Sequence, residues 1–247
     1  MYRSGKPLLR PLLAALALCS VAAPLPFHHH ANAAVPAGTA RAKAGEPLDS
    51  QAKTELLARL DALKARAPSL QADFSESRNS RLLKKPVASE GTIAFTVPNR
   101  FRREVKGSNP SLTVSNGKVL WLYYPNFKEA ELYTLGQRAM FDDAMAALTA
   151  GLNFGQVERY YHLTATKGEN DGFVITLTPK KSNLRRIVKS LTVHLDADLD
   201  VRRTEFQMPK GDAVVTEYHN VRRTSLPAST FEFTPPEGVN VSKPLGK

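Results

Sequence analysis

The sequence predicts a mainly β protein in which one antiparallel sheet is covered by two amphipathic helices. Beyond residue 68, apolar and polar residues alternate with a period of two, which is typical of half-buried strands. Turn signals separate about ten such segments, which favours an antiparallel meander over parallel βαβ units. Two further segments have helical periodicity and carry apolar stripes rich in leucine and methionine. A sheet of this size curls, so the helices are expected to cover its concave face.

The first 33 residues are predicted to be a signal peptide. Three cations precede an apolar run over residues 12–23, and Ala31-Asn32-Ala33 offers small residues to signal peptidase. The run is shorter than the roughly 20 residues that a membrane-spanning helix needs. We therefore expect cleavage after Ala33 and a location in the periplasm.

Two alternatives remain open at the N-terminus. The apolar run could stay uncleaved as a membrane anchor. Leu16-Ala17-Leu18-Cys19 also loosely resembles a lipobox, in which Cys19 would carry the lipid, although Leu18 stands where that motif has a small residue. Cleavage after Ala33 removes the single cysteine, and this would exclude disulfides, thiol catalysis and cysteine metal sites.

The mature chain is expected to be strongly basic. The signal peptide contains three of the cations behind the formal charge of +11, so its removal leaves +8. In the periplasm such a charge favours anionic lipid, a membrane surface or an acidic partner, and no nucleic-acid partner is expected.

After the signal peptide, residues 34–47 are predicted to be a flexible lead-in. They contain two prolines and two glycines, and Val35 is their only large apolar residue. Residues 48–247 suit one domain, because no internal repeat or second linker divides them.

The first helix is predicted to begin at Asp49 or Ser50 and to extend to Ala67. Leu56, Leu60 and Leu63 recur at the spacing of one helix face, with Leu57 beside them. Pro68 ends the helix.

The strands follow this helix, and the alternation is clearest in Leu70/Ala72/Phe74, Ile93/Phe95/Val97, Phe101/Val105 and Leu191/Val193/Leu195. Turns are expected at Pro98-Asn99, Asn116-Gly117, Asn170-Asp171-Gly172 and Lys210-Gly211-Asp212. The Asn-Gly pair predicts a hairpin with a two-residue loop.

The second helix is predicted over about residues 138–150. Phe141, Met145 and Leu148 have helical spacing, and Gly151 is placed to end the helix.

Four segments, in chain order, resemble the LolA family of lipoprotein carriers within the LolA/LolB superfamily. They are the Val97-Pro98-Asn99-Arg100-Phe101 turn, the hairpin Leu112 to Tyr124, the strand Phe173 to Lys180, and the closing strand Phe231 to Val239 with its Phe-x-Phe-x-Pro-Pro-x-Gly-Val pattern. The resemblance covers roughly residues 50 to 242. It implies an unclosed antiparallel half-barrel of about eleven strands, with the helices as a lid over an apolar cavity.

The resemblance also implies which residues line that cavity. Leu60, Phe101, Met145 and Leu148 match cavity positions of the family, and the inward strand residues Phe74, Phe95 and Leu122 are expected to join them. For each of these residues the alternative is an ordinary place in the core.

The chain departs from the family at two positions. Val97 stands where the family has an arginine that holds the lid closed, and Arg103 stands where it has a tryptophan. Val97, at the position of this lid latch, therefore lacks the arginine side chain. Arg103 is a candidate contact for an anionic head group.

The function that the resemblance implies is transport without catalysis or cofactor. A monomeric carrier would take acylated lipoproteins, or a related acyl lipid, from an inner-membrane exporter to an outer-membrane receptor. One alternative is a periplasmic sensor that reports mislocalised lipoproteins to a regulatory partner. Another is a membrane-anchored acceptor like LolB, which requires a lipidated Cys19.

The residues suggest no enzyme and no metal site. The sequence has no Gly-x-Ser-x-Gly elbow, and His162, His194 and His219 are isolated from one another along the chain. Basic pairs such as Lys180-Lys181 and Arg185-Arg186 are expected at strand ends. There they either form a solvated rim or steer the protein to anionic membranes.

Overall fold

The computed structural model describes residues 45–81, 85–136 and 157–244. The signal peptide, most of the lead-in and the second predicted helix with its Phe141, Met145 and Leu148 lie outside the described residues. No helix in the described ranges is both long and apolar enough to cross a membrane.

One long helix, α1, spans Ser50–Arg66, close to the predicted bounds. Asp49 is its N-cap, and the side-chain Oδ1 of Asp49 accepts a hydrogen bond from the backbone N–H of Ala52 at 2.8 Å. Such a cap satisfies one of the free amides in the first turn. Leu56 and Leu60 are the buried residues of the predicted leucine stripe.

The described residues contain twelve strands in a single sheet. They are Ser69–Asn79 (β1), Val87–Thr96 (β2), Arg100–Val105 (β3), Ser111–Ser115 (β4), Val119–Tyr124 (β5), Glu129–Thr134 (β6), Tyr161–Lys167 (β7), Phe173–Pro179 (β8), Ser190–Leu195 (β9), Val201–Gln207 (β10), Ala213–Arg222 (β11) and Asn240–Ser242 (β12). Single helical turns span Pro125–Phe127, Val157–Tyr160, Ser182–Arg185 and Ala228–Phe231.

The strand order is β12-β6-β5-β4-β3-β2-β1-β11-β10-β9-β8-β7. All pairings among the first eleven strands are antiparallel, and the short β12 pairs in parallel with β6. The predicted antiparallel fold class is confirmed. The sheet stays unclosed, because its two edge strands, β7 and β12, do not pair with each other.

The sheet curls around α1. One apolar cluster contains residues of α1, of β5 and β6, and of β7 to β10. In a flat sheet β5 and β7 would lie about 43 Å apart, since nine strand spacings separate them. The buried members of this cluster include none from β1 to β4, so its two parts come together across the curl of the sheet. Both ends of the sheet therefore contribute to one apolar cluster, which also contains residues of α1.

The hairpin between β4 and β5 forms at the predicted Asn-Gly pair, but its two-residue loop is wrong. The last paired residues are Ser115 and Leu120, so the loop is longer. The Oδ1 atom of Asn116 accepts hydrogen bonds from the N–H groups of Lys118 and Val119, at 3.0 and 3.1 Å. This side-chain turn satisfies backbone groups that a two-residue loop would have paired across the hairpin.

The segment Phe231 to Val239 is not the strand that the resemblance implied. The helical turn Ala228–Phe231 precedes it, and regular pairing resumes only at β12. Pro235 and Pro236 lack backbone N–H groups, which disfavours a sheet ladder. Instead, the Phe233 ring packs on Trp121 and Tyr123 of β5, with centroid distances of 5.7 and 5.2 Å. The segment thus covers one face of β5.

The last residues of the predicted lead-in pair with the edge strand β7. The N–H of Gly45 donates to the carbonyl oxygen of Lys167 at 3.1 Å. The N–H of Lys167 donates to the carbonyl oxygen of Glu46 at 2.9 Å. Leu48 continues the pairing with Ala165. Part of the exposed edge of the sheet is therefore covered just before α1 begins.

Candidate functional site

The candidate site is the face of the sheet that α1 covers, called here the inner face. Side chains of directly paired residues lie on the same face of a sheet. Starting from Leu122 and Leu120, the register places every second residue of each strand on this face. The opposite face carries Trp121 and Tyr123 and is covered by the segment around Phe233.

The inner face is most apolar beneath α1. Leu56 and Leu60 of the helix are buried in the same cluster as residues of β5 and of β7 to β10. The fully buried strand residues of this cluster are Leu120, Leu122, Tyr161, Ile175, Leu177 and Val193. Because α1 meets the sheet through leucine side chains, the contact between them is mainly hydrophobic.

The sequence-predicted cavity residues in the strands all lie on this face, and Leu60 of α1 shares an apolar cluster with some of them. Leu60 and Leu122 are buried in the main cluster, and Phe101 is half-buried against it. Phe95 is buried opposite Phe101 in the register of β2 and β3. Phe74 lies on the same face but in a second, smaller cluster with Ala72, Ile93 and Val105. Met145 and Leu148 belong to the part of the chain that is not described.

Arg103 forms a buried polar contact on this face. Its Nη2 donates to a carboxylate oxygen of Glu76 at 2.8 Å, and both side chains are largely buried, at 18% and 10% exposure. The hydroxyl of Thr216 donates to the same oxygen at 3.0 Å. The Arg103 guanidinium also lies 4.3 Å from the centroid of the Phe74 ring. Glu76 therefore compensates the buried cation, and the aromatic face adds a cation–π contact.

Gly91 makes this stacking possible. It lies between Phe74 and Val105 in the register of β1, β2 and β3. A Cβ at this position would overlap the carbonyl oxygen of Glu104 and lie 2.9 Å from the Phe74 ring. The missing side chain leaves room for the ring over the backbone of β2.

Further polar groups surround the Arg103–Glu76 pair. The hydroxyl groups of Ser111 and Thr113 on β4 are buried without a hydrogen-bond partner among the described residues, and Thr113 is the direct register neighbour of Arg103. On β11, the Tyr218 hydroxyl lies 3.4 Å from that of Thr204. Burial, above all, raises the pKa of Tyr218, so its phenol stays neutral at ordinary pH.

Sequence reasoning missed Glu76, Thr216 and Tyr218. A signal for Glu76 was present, because the apolar alternation Leu70, Ala72, Phe74 leads directly to Glu76 on the same face. Thr216 and Tyr218 come from β11, more than a hundred residues away in sequence. Only the pairing of β1 with β11 brings them to Glu76 and Phe74.

Val97, the predicted latch position, lies in the turn between β2 and β3 and is half-buried. Its N–H donates to the carbonyl oxygen of Pro68 at 3.0 Å. Pro68 connects α1 to β1, so Val97 lies beside the end of the helix that covers the inner face. Across the described ranges, His, Cys, Asp and Glu form no group of three or more that could hold a metal ion.

Comparisons with known proteins identify the family that this chain is similar to. The family model for outer membrane lipoprotein carrier protein LolA matches residues 65–234. An outer-membrane lipoprotein carrier protein of Dechloromonas aromatica is 31% identical over 176 residues, which cover 70% of this chain and 80% of that protein. A protein of the same name from Chromobacterium violaceum is 26% identical over 194 residues, which cover 78% and 90%. Among solved structures, a LolA superfamily protein from Nitrosomonas europaea aligns with a TM-score of 0.40 and 11% identity, over 73% of this chain and 97% of that one.

Proposed function

Because the chain belongs to the LolA family of outer membrane lipoprotein carrier proteins, we propose that it is a periplasmic carrier for acyl chains. Its cargo is a lipoprotein or a related envelope lipid, which it moves from the inner to the outer membrane. It binds and releases this cargo without a catalytic step and without a cofactor.

The observation that carries this proposal is the hydrophobic contact between α1 and the inner face. Leu56 and Leu60 are buried in one apolar cluster with strand residues of both ends of the curled sheet. Separation of α1 from the sheet would expose a continuous apolar surface, which is unfavourable in water. Acyl chains are the ligand that such a surface fits, because they replace leucine contacts with equivalent hydrocarbon contacts.

Three groups of residues are proposed to bind the cargo. Leu60, Phe101 and Leu122 lie in or against the main apolar cluster and contact acyl chains. Phe95 and Phe74 extend this contact towards β1 and β2. Met145 and Leu148, which lie outside the described ranges, contribute from the second predicted helix.

Arg103 is proposed to contact the polar head of the cargo. Only one hydrogen bond of its guanidinium, the one to Glu76, is identified within the described ranges, and the side chain retains 18% exposure. An arginine offers five N–H donors, so Arg103 can bind a carboxylate or phosphate oxygen while it keeps Glu76. The cargo group would then meet an oriented cation at the border of the apolar face.

The route of the cargo follows from the proposed class of protein. An inner-membrane exporter would load the carrier and an outer-membrane receptor would unload it, with affinity changing as α1 and the second helix move. Signal cleavage after Ala33 would free the chain, as a monomer, to travel between them.

The test of this function is to recover the protein from periplasm and identify its bound ligands by native mass spectrometry. We expect an acylated lipoprotein or lipid to copurify and to reload onto stripped protein. A protein that neither carries nor takes up a triacylated lipoprotein or phospholipid would contradict the proposal. The intact mass also reports the N-terminus, since a start at Ala34 excludes an anchor through lipidated Cys19.

A further inference from the structure

The sheet register places several of the connections between strands at the same end of the sheet, called here the basic end. This is the end at which β1 finishes and β2 starts. The β1–β2, β3–β4, β5–β6, β8–β9 and β10–β11 connections all lie there, together with the start of β7 and of β12. The remaining connections lie at the opposite end.

The β8–β9 connection concentrates positive charge at this end. Residues 180–189 contain five cations and no acidic residue. All five are exposed, and they are Lys180, Lys181, Arg185, Arg186 and Lys189.

Other connections at the basic end add cations of the same kind. Exposed examples are Arg81, Lys85, Lys106, Lys128, Arg159 and Lys210. The acidic residues in the described part of this end are fewer, namely Glu90, Glu129, Glu158, Asp212 and Glu237. The balance is therefore strongly positive.

Some of these cations have no ion-pair partner among the described residues. Arg185, Arg186 and Lys189 form no ion pair with any residue in the described ranges. Self-repulsion among unpaired cations disfavours the fold, so their concentration is a cost that an anionic partner would offset.

Two connections at the opposite end of the same strands, β7–β8 and β9–β10, carry the reverse charge. The connections over residues 168–172 and 196–200 contain five acidic residues and no cation. Asp196 and Asp200 are paired there with Arg202 and Arg223. The opposite end thus mixes acidic residues with cations, whereas cations clearly outnumber acidic residues at the basic end.

Exposed apolar side chains also lie at the basic end. Among the described residues, the large hydrophobic side chains with high exposure are Phe127, at 58%, and Val241, at 42%. Phe127 lies in the β5–β6 connection beside Lys128. Val241 follows Asn240, whose N–H donates to the carbonyl oxygen of Lys128 at 2.8 Å. An exposed aromatic beside cations is typical of segments that enter the interface of a membrane.

We propose that the basic end docks on the surface of an anionic lipid bilayer. The cations come from several separate connections, so they present a broad surface that suits a membrane plane better than a single anion. Phe127 would enter the interfacial layer while the lysines and arginines contact lipid phosphates. The acidic β7–β8 and β9–β10 connections would then point away from the membrane, which helps to orient the approaching protein.

Vesicle flotation with the purified protein tests this surface. The probes are vesicles of phosphatidylglycerol mixed with phosphatidylcholine, and vesicles of phosphatidylcholine alone, each at low and high salt. We expect binding to the anionic vesicles alone, weakening as salt rises. Neutralisation by Arg185→Gln, Arg186→Gln and Lys189→Gln together should lower the partition coefficient at least about ten-fold.

A matched variant removes the same charge at the opposite end. Lys118→Gln, Lys167→Gln and Arg222→Gln change three exposed cations, and this variant should bind anionic vesicles about as well as the parent. A Phe127→Ala variant should bind more weakly, with the larger deficit at high salt, where the apolar contribution dominates. All substituted side chains are exposed, and a thermal unfolding scan checks that each variant folds.

Two results would overturn the proposal: no binding to anionic vesicles at low salt, or an equal loss of binding in both triple variants. Cargo binding is measured separately on the same proteins. Because the docking surface and the inner face share no residue, failure of one proposal leaves the other intact.

Discussion

Arg103 shows how a single residue sets the character of the inner face. Its charge lies among Phe74, Ile93 and Val105, where a cation without a partner would be costly. Glu76 neutralises it, and Thr216 binds the same carboxylate oxygen. The face is therefore not purely hydrocarbon, and Arg103 is the group there that we propose to contact the polar head of the cargo.

Removal of the Glu76 charge tests this pair. We expect Glu76→Gln to lower the free energy of unfolding by about 2 to 3 kcal/mol, because it leaves the guanidinium of Arg103 buried without compensation. Chemical denaturation measures the change. The control is Glu104→Gln, which breaks the more exposed Arg102–Glu104 pair on the other face of β3 and should cost less than about 1 kcal/mol. Equal small losses in the two variants would show that Arg103 does not depend on Glu76.

Val97 allows a second test at the same scale. The resemblance implies that an arginine at this position holds the lid closed, and Val97 lies beside the end of α1. A Val97→Arg variant should favour the closed, empty state and therefore bind an acylated ligand more weakly. Titration with a fluorescent acyl probe measures the affinity. The parent affinity in this variant would mean that position 97 has no latch role here.

At the scale of elements, α1 is the part best suited to move. It is attached to the sheet mainly by its leucine face, while its opposite face is exposed. A helix of this length is marginally stable alone, so its place depends on what lies beneath it. A carrier can exploit this dependence, because cargo can take over the contacts that the helix gives up.

Leu60→Glu tests whether the helix face binds cargo. A carboxylate among acyl chains carries a large desolvation cost, so we expect affinity for an acyl probe to fall at least about ten-fold. The variant should still unfold cooperatively, because a cavity wall tolerates change better than a packed core. Ala58→Glu, on the exposed side of α1, is the matched control and should leave binding unchanged. Loss of cooperative unfolding in Leu60→Glu would instead identify Leu60 as core.

At the scale of the whole molecule, the curled sheet separates two surfaces. The inner face is most apolar beneath α1 and also carries the Arg103–Glu76 pair, and the basic end carries exposed cations with Phe127. The first suits the acyl chains of a cargo and the second suits the membrane from which a cargo comes. A single open sheet supplies both surfaces. Its strand register decides which side chains share the inner face, and the order of its connections decides which loops share the basic end.

Buried tyrosines make the stability of the whole fold sensitive to alkaline pH. Burial raises the pKa of Tyr124 to about 12 and also raises those of Tyr133, Tyr161 and Tyr218, so folding favours the neutral phenols. Their stabilisation is fully present below the unfolded value of 10.0 and is lost as pH rises through the folded values. Urea unfolding at about pH 9 and about pH 11 should show a clear loss of stability at the higher pH. A Tyr124→Phe variant should lose less, and equal stability at both values would contradict the expectation.

The sequence determined the local elements of this protein. The stripe of Leu56 and Leu60 fixed the face of α1, and the alternation in Leu70, Ala72 and Phe74 fixed the face of β1, because helix and strand periodicity depend on neighbouring residues. The apolar residues Leu60, Leu122, Phe95 and Phe101 were therefore predictable as inward-facing. The family could also be recognised from four short segments in order.

Tertiary structure decided which of those elements lie beside one another. Glu76 meets Thr216 only because β1 pairs with β11, and the cations of residues 180–189 share an end with Phe127 only because the register aligns their connections. The hairpin loop at Asn116 is longer than predicted, because the side chain of Asn116 accepts hydrogen bonds from backbone N–H groups. The segment with Pro235 and Pro236 is not the predicted strand, because these residues lack backbone N–H groups. Periodicity fixes which way a side chain faces. Its neighbours depend on strand pairings between residues far apart in sequence, and these exist only in the folded chain.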